Sequence, residues 1–192
     1  MRDYEIIICG GGVGGLALAI ALGMQNRSIL VIEKQQADVR VHRGELLQPR
    51  TLEILQEWGV LSTLEKCQAL RINALEIRAA DGALAGELNY ELLQKSFNHG
   101  LVHYYHQIKT ALYETARELA EIHYGTRVVD LLRDINGSIT GVKVQRGGCE
   151  EEITGELIVA ADGRTSDIRK NIGIAVSMFE YPHQLMGFDL SL

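Results

Sequence analysis

The apolar run Ile6-Ile7-Ile8-Cys9 leads into Gly10, Gly12 and Gly15 and then straight into Leu16-Ala17-Leu18-Ala19-Ile20-Ala21-Leu22. That order fits a buried strand, a glycine turn and a helix. Gly10 permits the tight turn, Gly12 lets a pyrophosphate approach the backbone, and Gly15 with Ala19 keeps the helix surface low enough to pack on a sheet. Val13 and Gly14 lie in the same turn. The free N–H groups and positive dipole end of the following helix favour an anion there without a basic side chain.

A second apolar run, Ile29-Leu30-Val31-Ile32, ends in Glu33. Its distance from Gly10 is close to the spacing of about 20 residues at which an acidic side chain can take both hydroxyls of an adenosine ribose. The expected ligand is therefore a dinucleotide. Strand, helix and acid together make this a stronger signal than a glycine pattern alone, which often only turns the chain.

The bulk composition narrows the field. Of 192 residues, 46% are apolar and 23% charged, which suits a soluble globular protein with one well-buried core and part of a second. A net charge of −6, from 19 basic and 25 acidic residues, gives no general attraction to nucleic acid or to an anionic membrane. Cys9, Cys67 and Cys149 are odd in number and widely spaced, so neither a disulfide framework nor a zinc site is suggested, and a reducing cytoplasm fits. Asp3 and Glu5 stand where a signal peptide would be positive, and no apolar stretch is long enough to span a membrane.

Further along, Lys34 to Val41 reads as a loop. A helix is expected over Arg50 to Trp58, started by Pro49 and ended by Gly59, with Leu52, Leu55 and Trp58 on its core face. Ala74 to Tyr90 reads as a hairpin turning at Asp81-Gly82. Ile108, Leu112, Ala116 and Leu119 mark an amphipathic helix running to about Ala120. Ile122-His123-Tyr124 begins another strand. Val128 to Leu132, Ile139 to Val144 and Glu151 to Ile153 suggest a small meander, and Gly155 to Ala161 a separate, buried strand of the parallel type. That strand delivers Asp162-Gly163 to its carboxyl end, where ligands collect in open α/β sheets. His99, His103 and His106 lie across an expected loop-to-helix junction with no cysteine or paired acid beside them, which argues against a metal site.

Gly10 to Glu33, taken with Ala160-Ala161-Asp162-Gly163-Arg164-Thr165-Ser166-Asp167-Ile168-Arg169, closely resembles the FAD-dependent aromatic hydroxylases, the flavoprotein monooxygenases of the p-hydroxybenzoate hydroxylase type. The second stretch matches that family's ADGxxSxxR pattern. The resemblance implies that Asp162 and Gly163 contact the ribityl-pyrophosphate region of FAD and bear on reduced-nicotinamide binding, and that Lys34 and Val128 are further cofactor contacts. The segment from Arg43 to Leu55 looks like the family's stretch in which an arginine reaches the flavin; aligned from Pro49 that arginine is Arg43, and aligned on Gly44 the place falls to His42. Tyr105 stands where the family usually has arginine or glutamine. A tyrosine offers one hydrogen bond but no guanidinium charge, so either Gln107 or Arg43 compensates or FAD is held more weakly.

The family's downstream Gly-Asp motif is absent, and the sequence stops at Gly187 to Leu192 as the main substrate-domain strands would begin. The expectation is an N-terminal fragment or truncated form. The fold expected is α/β, a Rossmann-like parallel-sheet FAD-binding domain from 1–72 and 99–175, with the hairpin 73–98 and the tail 176–192 belonging to an interleaved substrate-domain sheet. The implied activity is FAD- and NAD(P)H-dependent hydroxylation of a small aromatic substrate with dioxygen through a flavin C4a-hydroperoxide. No side chain has to act as acid or nucleophile, because the hard chemistry belongs to the cofactor. A homo-oligomer stays open as a partner. A halogenase or prenyl-chain reductase of the same superfamily is the alternative enzyme, although Trp58 is the sole tryptophan and the tryptophan-rich halogenase signature is not visible. A catalytically incomplete dinucleotide-binding module is the alternative outside enzymes.

Overall fold

The computed structural model describes residues 3–36, 43–67 and 69–182. In chain order the elements are β1 (Tyr4–Cys9), α1 (Val13–Gly23), β2 (Ile29–Ile32), β3 (Gly44–Leu47), α2 (Pro49–Glu57), α3 (Leu61–Glu65), β4 (Leu70–Ile72) and β5 (Ala74–Arg78). There follow β6 (Leu84–Asn89), β7 (Gly100–Tyr104), α4 (Tyr105–Ala116), β8 (Glu121–His123), β9 (Thr126–Arg133), β10 (Ile139–Arg146), β11 (Cys149–Ala160) and α5 (Asp167–Asn171). The described residues form two compact units, 3–36 with 112–182 and 43–67 with 69–111, the second cut falling within α4.

The first unit is built on a six-stranded sheet in the order β8-β2-β1-β11-β10-β9. β8, β2, β1 and the later half of β11 run parallel, while β9, β10 and the earlier half of β11 form an antiparallel meander. Ile7, Ile8, Leu30 and Val31 are fully buried, as the continuous apolar runs of strands covered on both faces require. Ile7, Cys9, Leu30 and Ile32 share one core cluster with Leu131, Val142, Val144, Ile153 and Ile168. α1 contributes Leu16, Ala19 and Ile20, all fully buried. No helix among the described residues is long and apolar enough to cross a membrane.

Three expectations are corrected. The meander's last strand and the parallel strand after it are one element: β11 changes partner in mid-course, from Gly141 opposite Thr154 to Tyr4 opposite Gly155, so the glycine taken as a strand start lies within a continuous strand. Nor is that strand buried throughout, because Leu157 is 54% exposed. Last, α4 ends at Ala116, with Leu119 in the turn that follows.

The second unit carries a three-stranded antiparallel sheet, β3-β7-β4, and the separate hairpin β5-β6. α2 begins at Pro49 and buries Leu52 and Leu55, and α3 adds Leu61 and Leu64 to the buried apolar set. The hairpin turns at Asp81-Gly82 as its sequence suggests. Its apolar side chains Ile77, Leu84 and Leu88 are open to solvent, with Ile77 at 60% and Leu88 at 57% exposure. β3, β4 and β7 are not legible in the sequence. As a result, the expected loop before His106 is a strand through His103, and helix α4 follows it directly. Most of the expected loop up to Val41, together with His42, lies outside the described residues.

Candidate cofactor site

The first unit brings together the carboxyl ends of three adjacent parallel strands, β2, β1 and β11. From these ends project Glu33, the Gly10–Gly15 turn and Asp162. The ends are laced by main-chain bonds: Gly10 N–H donates to Ile32 O at 2.7 Å and Ala161 N–H to Cys9 O at 2.8 Å. Ligands of open α/β sheets gather at such an edge.

Each glycine of the turn has its own physical task. Gly10 sits at φ +121°, and a Cβ on it would come within 2.2 Å of Ala161 O. A Cβ on Gly15 would lie 1.8 Å from Gly10 O, so the turn closes onto the helix only without a side chain there. Gly12 is the N-cap of α1 in an extended conformation, and the helix has neither a side-chain cap nor an acid in its first turn. Val13 opens the helix and is half-buried, and Gly14 is exposed with open space around its missing Cβ. An uncapped N-terminus with backbone rather than side chains in front of it fits a diphosphate.

Glu33 is 8% exposed. Its Oε2 accepts from Gly11 N–H and its Oε1 from Gln35 N–H, both at 2.8 Å. Sequence reasoning passed over Gly11, and the signal was present in the unbroken Gly10-Gly11-Gly12 run: a Cβ at Gly11 would stand 2.9 Å from Glu33 Cβ. Lys34 is exposed, and its charge helps to hold the Asp167 carboxyl low, behind the larger effect of Lys170. Cys9, at the end of β1, is no nucleophile: burial, helped by the Asp162 charge, pushes its thiol up to about 12.

The Asp162 segment is a compact cap. Asp162 Oδ2 accepts from Asp167 N–H at 2.8 Å and Ile168 N–H at 3.2 Å, and Ser166 Oγ accepts from Arg169 N–H at 3.0 Å. Gly163 takes φ +85°, and Arg169 Nη2 returns to Arg164 O at 3.2 Å. Asp162, Gly163, Ser166 and Arg169 thus each have a local structural use, and Asp162 Oδ1 has no hydrogen bond among the described residues. Val128 lies on β9 opposite Val144 and packs partly buried against the core, lining a shallow depression with Asp167, Ile168 and Asn171.

Arg43 and Tyr105 belong to the second unit. Arg43 O accepts from Tyr105 N–H at 2.7 Å, its guanidinium lies over the Tyr105 ring at 4.9 Å, and its Nε donates to Glu45 at 2.6 Å. Gln107 Oε1 accepts from Tyr104 N–H at 3.2 Å and meets His103 Nδ1 at 3.4 Å.

This chain belongs to the FAD binding domain family, whose model matches residues 3–190. It is 29% identical over 175 residues to a squalene monooxygenase of Rattus norvegicus, covering 90% of this chain and 30% of that protein. It is also 29% identical over 207 residues to the FAD-dependent monooxygenase atnJ of Arthrinium sp, covering 98% of this chain and 45% of that one. Among solved structures, Pseudomonas aeruginosa PqsL in complex with 2-aminobenzoylacetate superposes with a TM-score of 0.81 at 24% identity over 93% of this chain and 48% of its own. The chain therefore spans less than half the length of each of these relatives.

Proposed function

We propose that this chain forms the FAD-binding part of a monooxygenase that uses NAD(P)H and dioxygen to hydroxylate a small aromatic substrate. The observation that carries the reading is the convergence of an uncapped helix N-terminus, a buried carboxylate and the Asp162 cap at three neighbouring strand ends. In this reading the Gly10–Gly15 turn receives the diphosphate, Glu33 accepts the adenosine ribose hydroxyls, and Asp162 Oδ1 and the Gly163 backbone face the ribityl side. Lys34, Val128, Arg43 and Tyr105 are assigned as further contacts. FAD held by these residues would supply hydride acceptance from the nicotinamide and activation of dioxygen, one oxygen atom going to the substrate and the other leaving as water, while the protein would orient the flavin and keep bulk water away. The residues 73–98 and 176–192 are assigned to a substrate-binding sheet, of which 183–192 lie outside the described residues. Three free cysteines support a reducing compartment, the cytoplasm.

An isoprenoid alkene is the competing substrate class, because one relative is a squalene monooxygenase. Titration of the purified chain with FAD and with NAD, followed by flavin and nicotinamide fluorescence, tests the cofactor. Preference for FAD supports the reading, whereas tight NAD binding with no FAD binding defeats it. Gly12→Val should abolish FAD binding with an unchanged circular dichroism spectrum, since a branched side chain would fill the path of the diphosphate. NAD(P)H-coupled oxygen uptake is expected at background for these residues alone and is expected to appear when a relative's remaining length is supplied; hydroxylation of phenols against epoxidation of squalene then separates the substrate classes.

A further inference from the structure

Gly11 is buried inside the glycine turn, and its N–H is bound within the protein rather than presented to a ligand. The acceptor is Glu33, whose two carboxylate oxygens tie the turn to the start of the next loop at Gln35, each at 2.8 Å. Position 11 leaves no room for a side chain, since a Cβ would lie 2.9 Å from Glu33 Cβ and 3.3 Å from its Cγ. A buried carboxylate is costly unless it is hydrogen-bonded, and these two charge-assisted bonds meet that requirement without any nucleotide. A carboxylate has about four lone-pair sites, so two backbone donors leave capacity for two ribose hydroxyls.

We propose that the Gly11–Glu33–Gln35 bridge is a positioning device, which holds the diphosphate turn in its binding shape before a nucleotide arrives. Glu33 then serves the diphosphate end through Gly11 as well as the ribose directly. The proposal rests on the FAD reading, and it differs from a plain ribose contact in one measurable respect. A ribose contact matters only to nucleotides that carry the hydroxyls; a bridge matters to those without them too.

The test uses ADP and 2′,3′-dideoxy-ADP as probes, by calorimetry, on the wild-type chain, Glu33→Gln and Gly11→Ala. The amide group of Glu33→Gln can accept from one backbone N–H but not from both, so both probes should bind about tenfold more weakly to that variant. Gly11→Ala, with the carboxylate intact but displaced, should show the same pattern. A loss confined to ADP, with dideoxy-ADP unchanged, would overturn the proposal. The ligand-free protein gives an independent readout by amide NMR. In the wild type the Gly11 and Gln35 amides should both be protected from hydrogen exchange, and Glu33→Gln should expose at least one of them. Rapid exchange of both amides in the wild type refutes the bridge even if a variant fails to fold. Should neither probe bind the wild type, the FAD reading fails while the exchange measurement still decides the bridge.

Discussion

Two segments at the same sheet edge reach their shapes by opposite routes. The Gly10–Gly15 turn is held from outside, by Ile32 O, by the Glu33 carboxylate and by the backbone of Ala161, which a side chain on Gly10 would strike. Asp162 to Arg169 is held from within, by bonds between residues three to six positions apart. A turn shaped by distant partners fails when its packing fails. A turn shaped by its own side chains loses only the bond that is removed. The first is therefore sensitive to volume and the second to hydrogen-bonding groups.

The largest effect should come from volume in the first segment. Gly15→Val places atoms where Gly10 O now lies, and should cost about 3 kcal/mol in urea denaturation through forced displacement of the turn. Gly14→Ala, one position away with open space around it, should change stability by less than about 0.5 kcal/mol. If the two variants prove equally stable, the close approach of α1 to the turn is wrong.

Side-chain chemistry in the second segment should matter less. Ser166→Ala removes the acceptor for Arg169 N–H and should cost about 1 kcal/mol. Asp162→Asn sharpens the contrast, because its amide oxygen can still cap Asp167 and Ile168 while the negative charge is gone. Thermal stability should then stay close to that of the wild type. A fall in FAD affinity with stability preserved would mark Asp162 as a ligand contact as well as a cap; parallel loss of both would leave it a cap alone.

The same contrast explains what could be read from the sequence. Strand, glycine turn, helix and acid follow one another in a fixed order, so β1, α1, β2 and Glu33 were legible from apolar runs and spacing. The partner that occupies Glu33 was not, since Gly11 looks like any other residue of a glycine-rich turn until the carboxylate is seen against it. β3, β4 and β7 were missed for a different reason. They are three to five residues long, too short for a period to emerge, and they exist because they pair with one another. β11 misled in the opposite sense: Gly155 looks like punctuation, yet it is where the strand exchanges an antiparallel neighbour for a parallel one.

The smallest predicted effect concerns pH and lies in the second unit. His103 is 3% exposed in β7, its Nδ1 faces Gln107 Oε1 at 3.4 Å, and its Nε2 is buried without a partner among the described residues. Burial holds its imidazole below the ordinary range, against a smaller opposing effect of Gln107. The unfolded chain therefore takes up this proton first as pH falls, and the stabilising contribution is present at neutral pH and decreases below about 6.5. His99 adds a slope of the same sign, through burial and the nearby Arg71 charge. Urea denaturation at pH 7.5 and 5.5 should show the wild type losing stability on acidification and His103→Leu losing less, with the remainder due to His99 and other groups. An equal loss in both proteins would mean that His103 titrates in the folded state as freely as in the unfolded one, and that its unpartnered nitrogen meets water.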